Sequence, residues 1–129
     1  MRIHHIGYLV KKIDKAIEEF ERLGYVVEKE TVFDDIRKVD ICFMIKDGYR
    51  VELVSPAADD SVVRGLYLKF GNGPYHICYE TEHFDDDLDY LHESHYVDCD
   101  ETKVAPALSD RRVCFLIHAS LGMIELLEK

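Results

Sequence analysis

His5 and Glu52 lie 47 residues apart, and His76 and Glu125 lie 49 apart. Each histidine opens an apolar stretch, His5-Ile6-Gly7-Tyr8-Leu9-Val10 and His76-Ile77-Cys78-Tyr79-Glu80-Thr81. Each glutamate interrupts one, Val51-Glu52-Leu53-Val54 and Ile124-Glu125-Leu126-Leu127. A carboxylate facing an apolar interior is costly unless it is paired or binds a metal. Two imidazole nitrogens and two carboxylates form a donor set suited to one divalent ion such as Zn, Ni, Co or Mn. Four protein ligands leave positions open on a six-coordinate ion, so a substrate can chelate through two neighbouring oxygens. That arrangement suits proton transfer at a carbon beside a carbonyl. The ion stabilises charge on oxygen, and a carboxylate takes or returns the proton. Glu125 and Glu52 are the candidate bases as well as candidate ligands. Taken singly, each of the four residues also reads as ordinary: a partly buried histidine, or a glutamate on the solvent face of a strand. Their matched placement favours the ligand reading.

The matching extends beyond these four. Cys42-Phe43 is echoed by Cys114-Phe115, 72 residues later, and the histidine and glutamate offsets are 71 and 73. The chain therefore reads as a duplicated half. In the first half, Ile3 to Val10 predicts a strand buried on both faces. Ile13, Ala16, Ile17, Phe20 and Leu23 recur at helical spacing up to Gly24, where the helix should stop. Strands are expected over 25–30, 39–45 and 51–54, with Asp47-Gly48 as a hairpin turn. The second half repeats the order: a strand over 76–81, a helix with Phe84, Leu88, Leu91 and His95 on one face, then strands over 112–118 and 123–127. The expected fold class is α+β, two tandem βαβββ modules whose sheets curl around a central metal-binding cavity. The modules span about 1–55 and 74–129 of a single domain covering 1–129, joined by a tether at about 56–73.

Asp plus Glu number 26 against 16 Lys plus Arg, a formal net charge of −10. This balance argues against nucleic acid or an anionic membrane as a partner. The N-terminal residues lack the apolar core of a signal peptide, and no run is long enough to span a bilayer, so a cytoplasmic location is expected. Cys42, Cys78, Cys99 and Cys114 show no metal-type spacing and read as structural thiols. His4 should point away from His5 on the strand. His83, His92, His95 and the acidic run Asp85-Asp86-Asp87 surround the second helix, where the acids complement the helix dipole. Arg50, Arg64, Lys69, Arg111 and Arg112 are candidates to hold an anionic substrate tail.

Strand-borne His, Glu, His and Glu in that order resemble the vicinal-oxygen-chelate superfamily, which includes glyoxalase I, methylmalonyl-CoA epimerase, extradiol dioxygenases and bleomycin-resistance proteins. Three stretches are most similar to the epimerase branch: His4-His5-Ile6-Gly7, then Ser61 to Phe70 leading into Gly73-Pro74-Tyr75-His76-Ile77, and Val113-Cys114-Phe115-Leu116-Ile117-His118 running to Ile124-Glu125-Leu126. The resemblance implies a short helix in the tether. It also implies one divalent ion per site and a small-molecule substrate, either an acyl-CoA thioester or a glutathione hemithioacetal. In the epimerase branch one base is a carboxylate from a loop that corresponds roughly to Asp34 and Asp35. The expected assembly is a homodimer.

The leading functional expectation is a metal-dependent isomerase or lyase, methylmalonyl-CoA epimerase-like or glyoxalase I (lactoylglutathione lyase)-like. Two other classes compete. An extradiol-type dioxygenase uses two His and one carboxylate on ferrous iron, and Glu52 would fill a position that it needs open. A non-catalytic, bleomycin-resistance-like binding protein would leave four matched polar residues unexplained.

Overall fold

Why Ile13 to Arg22 form a helix is visible in what they bury. In the computed structural model, which describes residues Met1–Lys129, Ile13, Ala16, Ile17 and Phe20 pack on one sheet face while the charged residues between them face solvent. The chain folds as nine strands and three α-helices, the α+β architecture expected from the repeat. It divides into two compact units, His5–Tyr75 and a second built from His76–Lys129 with Met1–His4.

The first unit contains β1 (Arg2–Leu9, from His5 on), α1 (Ile13–Arg22), β2 (Val26–Asp34), β3 (Val39–Lys46), β4 (Tyr49–Pro56) and α2 (Arg64–Phe70). Its strand order is β2-β3-β4-β1. β1 and β4 run parallel, with Gly7 opposite Glu52, and the other neighbours are antiparallel. Val10, Cys42, Met44, Val51 and Leu53 form the core beneath α1. β1 is not buried on both faces as its composition suggests. Ile3 and Ile6 are exposed, while His5, Gly7 and Leu9, which share the face opposite α1, are buried; Ile6 lies beyond the cluster that Tyr8 and Val10 form under α1. Asp47 (φ 53°) and Gly48 (φ 81°) make the β3–β4 hairpin, both in the left-handed region that a two-residue turn requires.

The second unit contains β5 (Gly73–Thr81, from His76 on), α3 (Phe84–Glu93), β6 (Val97–Asp98), β7 (Lys103–Ala105), a 3-10 turn at Pro106–Leu108, β8 (Arg111–His118) and β9 (Gly122–Glu128). Its strand order is β5-β9-β8-β6, with β7 also paired to β8. β5 and β9 run parallel, with Cys78 opposite Glu125, in the same relation as Gly7 and Glu52. Phe84, Leu91, Cys114, Leu116, Ile124 and Leu126 form its core. The duplication reaches the helix ends. Tyr25 N–H bonds the Phe20 carbonyl past Gly24 (φ 94°), and Tyr96 N–H bonds the Leu91 carbonyl past His95 (φ 69°). Both are the same left-handed helix stop. His95 thus ends α3 instead of lying on its apolar face.

Candidate functional site

In a β-strand, residues two apart share a face, so His5 and Gly7 of β1 point the same way, and the Gly7–Glu52 register puts Glu52 on that face. Phe43 faces Glu52 across β3 and β4 and joins them. The outcome is a buried trio. His5 Nε2 lies 3.6 Å from Glu52 Oε2, with the imidazole side chain 0% and the carboxylate side chain 6% exposed. The Phe43 ring meets the imidazole edge-on, centroids 5.3 Å apart and planes at 77°. The opposite face of the same strands is the core under α1, so the sheet separates its packing side from its polar trio.

The second unit builds the same trio by the same register. His76 and Cys78 share a face of β5, Cys78 pairs with Glu125, and Glu125 pairs with Phe115. His76 Nε2 stands 3.2 Å from Glu125 Oε2, side chains 0% and 3% exposed. Phe115 meets His76 at 5.1 Å and 88°. Two donors each about 2.1 Å from one ion, at tetrahedral or octahedral angles, are about 3.0 to 3.4 Å apart. Each His–Glu pair therefore has a spacing close to what one divalent cation requires, and the nitrogen and oxygen donors suit the borderline divalent metals. The donor set fits the ion that its sequence pattern implies.

Other candidates hold different positions. Asp34 is buried at the end of β2, where its carboxylate accepts from the Ile36 and Arg37 N–H groups and from Arg37 Nη1 at 2.9 Å. It fixes a turn. All four arginines considered for a substrate tail have carboxylate partners: Arg50 with Glu28, Arg64 with Asp59, Arg111 with Glu80, and Arg112 with both Asp85 and Glu128. Lys69 lies over the ring of its neighbour Phe70. His92 pairs with Asp98, and the acidic run occupies the first turn of α3, as expected for the dipole. Burial pushes the Cys114 thiol up to about 11, and it raises the thiols of Cys42 and Cys99 as well, so all three stay protonated at neutral pH.

Sequence reasoning missed Glu80. It sits on the same face of β5 as His76, four residues on, buried at 7% exposure. Burial would raise its carboxyl, but hydrogen bonds from Arg111 and Arg2 overcome that and hold it down at about 2. The equivalent residue of the first half is Leu9, so a polar residue at an apolar repeat position was the available signal.

Relatives agree with this architecture. A Bacillus subtilis (strain 168) protein, the uncharacterized YqjC, is 31% identical over 96 residues, covering 73% of this chain and 67% of the relative. The crystal structure of hypothetical protein BH1468 from Bacillus halodurans C-125 superposes with a TM-score of 0.86 at 21% identity, covering 99% of this chain and 94% of that one. A Streptomyces coelicolor methylmalonyl-CoA epimerase variant, in complex with 2-nitronate-propionyl-CoA, superposes with a TM-score of 0.85 at 23% identity, covering 100% and 94%. Residues 4–115 match the family profile whose members typically bind a divalent metal, and the chain belongs to this family, the Glyoxalase/Bleomycin resistance protein/Dioxygenase superfamily.

Proposed function

We propose that His5, Glu52, His76 and Glu125 hold one divalent ion, with the two units acting as halves of one domain, and that the protein is a metal-dependent isomerase or lyase. Its reaction is proton transfer at a carbon beside a carbonyl or thioester, of the methylmalonyl-CoA epimerase or lactoylglutathione lyase type. The observation that supports this most is the paired construction of the trios. Each half sets a buried imidazole and a buried carboxylate 3.2 to 3.6 Å apart against an edge-on phenylalanine. A fold needing only packing there would use apolar residues, as it does at Leu9 and Val54.

When bound, the ion would supply a Lewis acid to a carbonyl oxygen that gains charge. The remaining work belongs to the chain. Phe43 and Phe115 fix the ring planes of the two histidines, whose side chains are fully buried. Glu125 takes the proton from the acidic carbon, and Glu52, with its own pair of oxygens, returns one. The likeness to an epimerase structure carrying an acyl-CoA analogue favours a thioester substrate. Solvent deuterium incorporation into methylmalonyl-CoA, run beside isomerisation of a glutathione hemithioacetal, tests the reading on protein loaded in turn with cobalt, nickel, zinc and manganese. Exchange in either substrate supports it. Absence of exchange in both, with every metal, rejects the two reactions.

A further inference from the structure

Register across the first unit places four residues in a single row. Lys29 of β2 pairs with Phe43 of β3, Phe43 pairs with Glu52 of β4, and Glu52 pairs with Gly7 of β1, two residues from His5. Lys29 is set there by irregular pairing on both sides, since the β2–β3 register shifts between Val27 and Lys29 and again between Lys29 and Val32. Bulges of this kind re-aim a side chain. The Lys29 carbonyl also accepts from the Cys42 thiol at 3.4 Å, which ties the bulged backbone to β3. The exposed lysine then turns back over the sheet, and its Nζ stands 6.0 Å from the centroid of the Phe43 ring that braces His5.

The duplication sharpens the point. In the second unit the same place in the row is taken by Cys99, whose N–H bonds the Phe115 carbonyl. A repeat that copies histidine, phenylalanine and glutamate, but carries a cation in one half only, gives its site a charged side. We infer that Lys29 is a specificity-determining residue, which binds an anionic group, a carboxylate, carried by the substrate a few bonds from its chelating oxygens. This rests on the metal-site reading above and narrows it to anionic substrates. Neighbouring strands are about 4.8 Å apart, so Lys29 lies about 10 Å from Glu52 along the row. A lysine side chain and a two- or three-carbon substituent span that distance between them.

Two hydroxamates provide the test, because both chelate through vicinal oxygens and only one carries a further carboxylate. Acetohydroxamate and succinate monohydroxamate are titrated into the full-length cobalt-loaded protein, and binding is followed by the visible cobalt spectrum. The expected result for the wild type is about tenfold tighter binding of the carboxylate-bearing probe, the scale of one charge-assisted contact. Lys29→Gln brings the ratio of the two affinities to about one, and Lys29→Arg keeps it well above one. A ratio near one in the wild type, or a ratio that survives in Lys29→Gln, overturns the assignment of Lys29 and leaves the metal site standing. A cobalt spectrum that neither probe changes overturns the chelation reading, and the role of Lys29 with it.

Discussion

Phe115 meets the imidazole of His76 edge-on, with centroids 5.1 Å apart and planes at 88°, and it stands directly across the β8–β9 ladder from Glu125. One aromatic ring thus orients a histidine and flanks its carboxylate neighbour. An edge-to-face contact contributes about 0.5–1.5 kcal/mol beyond area burial. Replacing Phe115 by Leu keeps the volume apolar while freeing the ring to rotate. The expected outcome is about a tenfold loss of metal affinity, the usual scale for groups that orient a ligand, measured by competition with a chelating dye.

Glu125→Gln separates binding from chemistry. On the roles proposed above, the amide oxygen can still serve the metal, so most of the metal is expected to be retained while the base is lost. Proton exchange in the active substrate is expected to fall by about two to four orders of magnitude. Solvent deuterium incorporation, normalised to bound metal, reads the effect. An unchanged exchange rate assigns the proton transfer to another group.

Stability should depend on acid through Glu80. Its carboxyl is held at about 2 in the folded protein against 4.5 ordinarily, because Arg111 and Arg2 outweigh the opposing effect of burial. A carboxyl depressed on folding stabilises the protein fully above its unfolded value and loses that contribution as pH falls through the folded one. The window is therefore pH 4.5 down to 2. Glu80→Gln is expected to lose on the order of 2–3 kcal/mol at pH 7, and the gap from wild type should close across this window in urea unfolding.

His95 occupies the left-handed position that Gly24 fills in the other half, with φ at 69° and 94° respectively. A side chain there is strained, and glycine is not. His95→Gly should stabilise the protein by about 0.5–1 kcal/mol, seen as a rise of a few degrees in Tm. A fall in Tm would show that the imidazole makes contacts worth more than the strain.

What was legible from sequence followed the strength of the local pattern. His5, Glu52, His76 and Glu125 stood out because each is polar in an apolar strand and each has a partner about 72 residues away. α1 and the Asp47-Gly48 turn were legible because helical spacing and turn residues agree. β6 and β7 were not. Val97-Asp98 and Lys103-Val104-Ala105 are too short to show a period and are separated by Cys99-Asp100-Glu101-Thr102, so their strand character comes from the β8 backbone. Lys29 was hidden for a related reason. Between Glu28 and Glu30 it reads as one charge on a solvated strand, and only the register shifts around it reveal its row. Glu80 and Arg111 are 31 residues apart and form an ion pair that no spacing announces.

The central claim, that the two trios serve one ion, is tested most directly by metal stoichiometry on protein purified without a metal-affinity tag. After loading with cobalt and exhaustive dialysis, elemental analysis should find about one ion per chain in the wild type, and a small fraction of that in His5→Ala and in His76→Ala alike. Two ions per chain, or one ion retained in full by either variant, would contradict it.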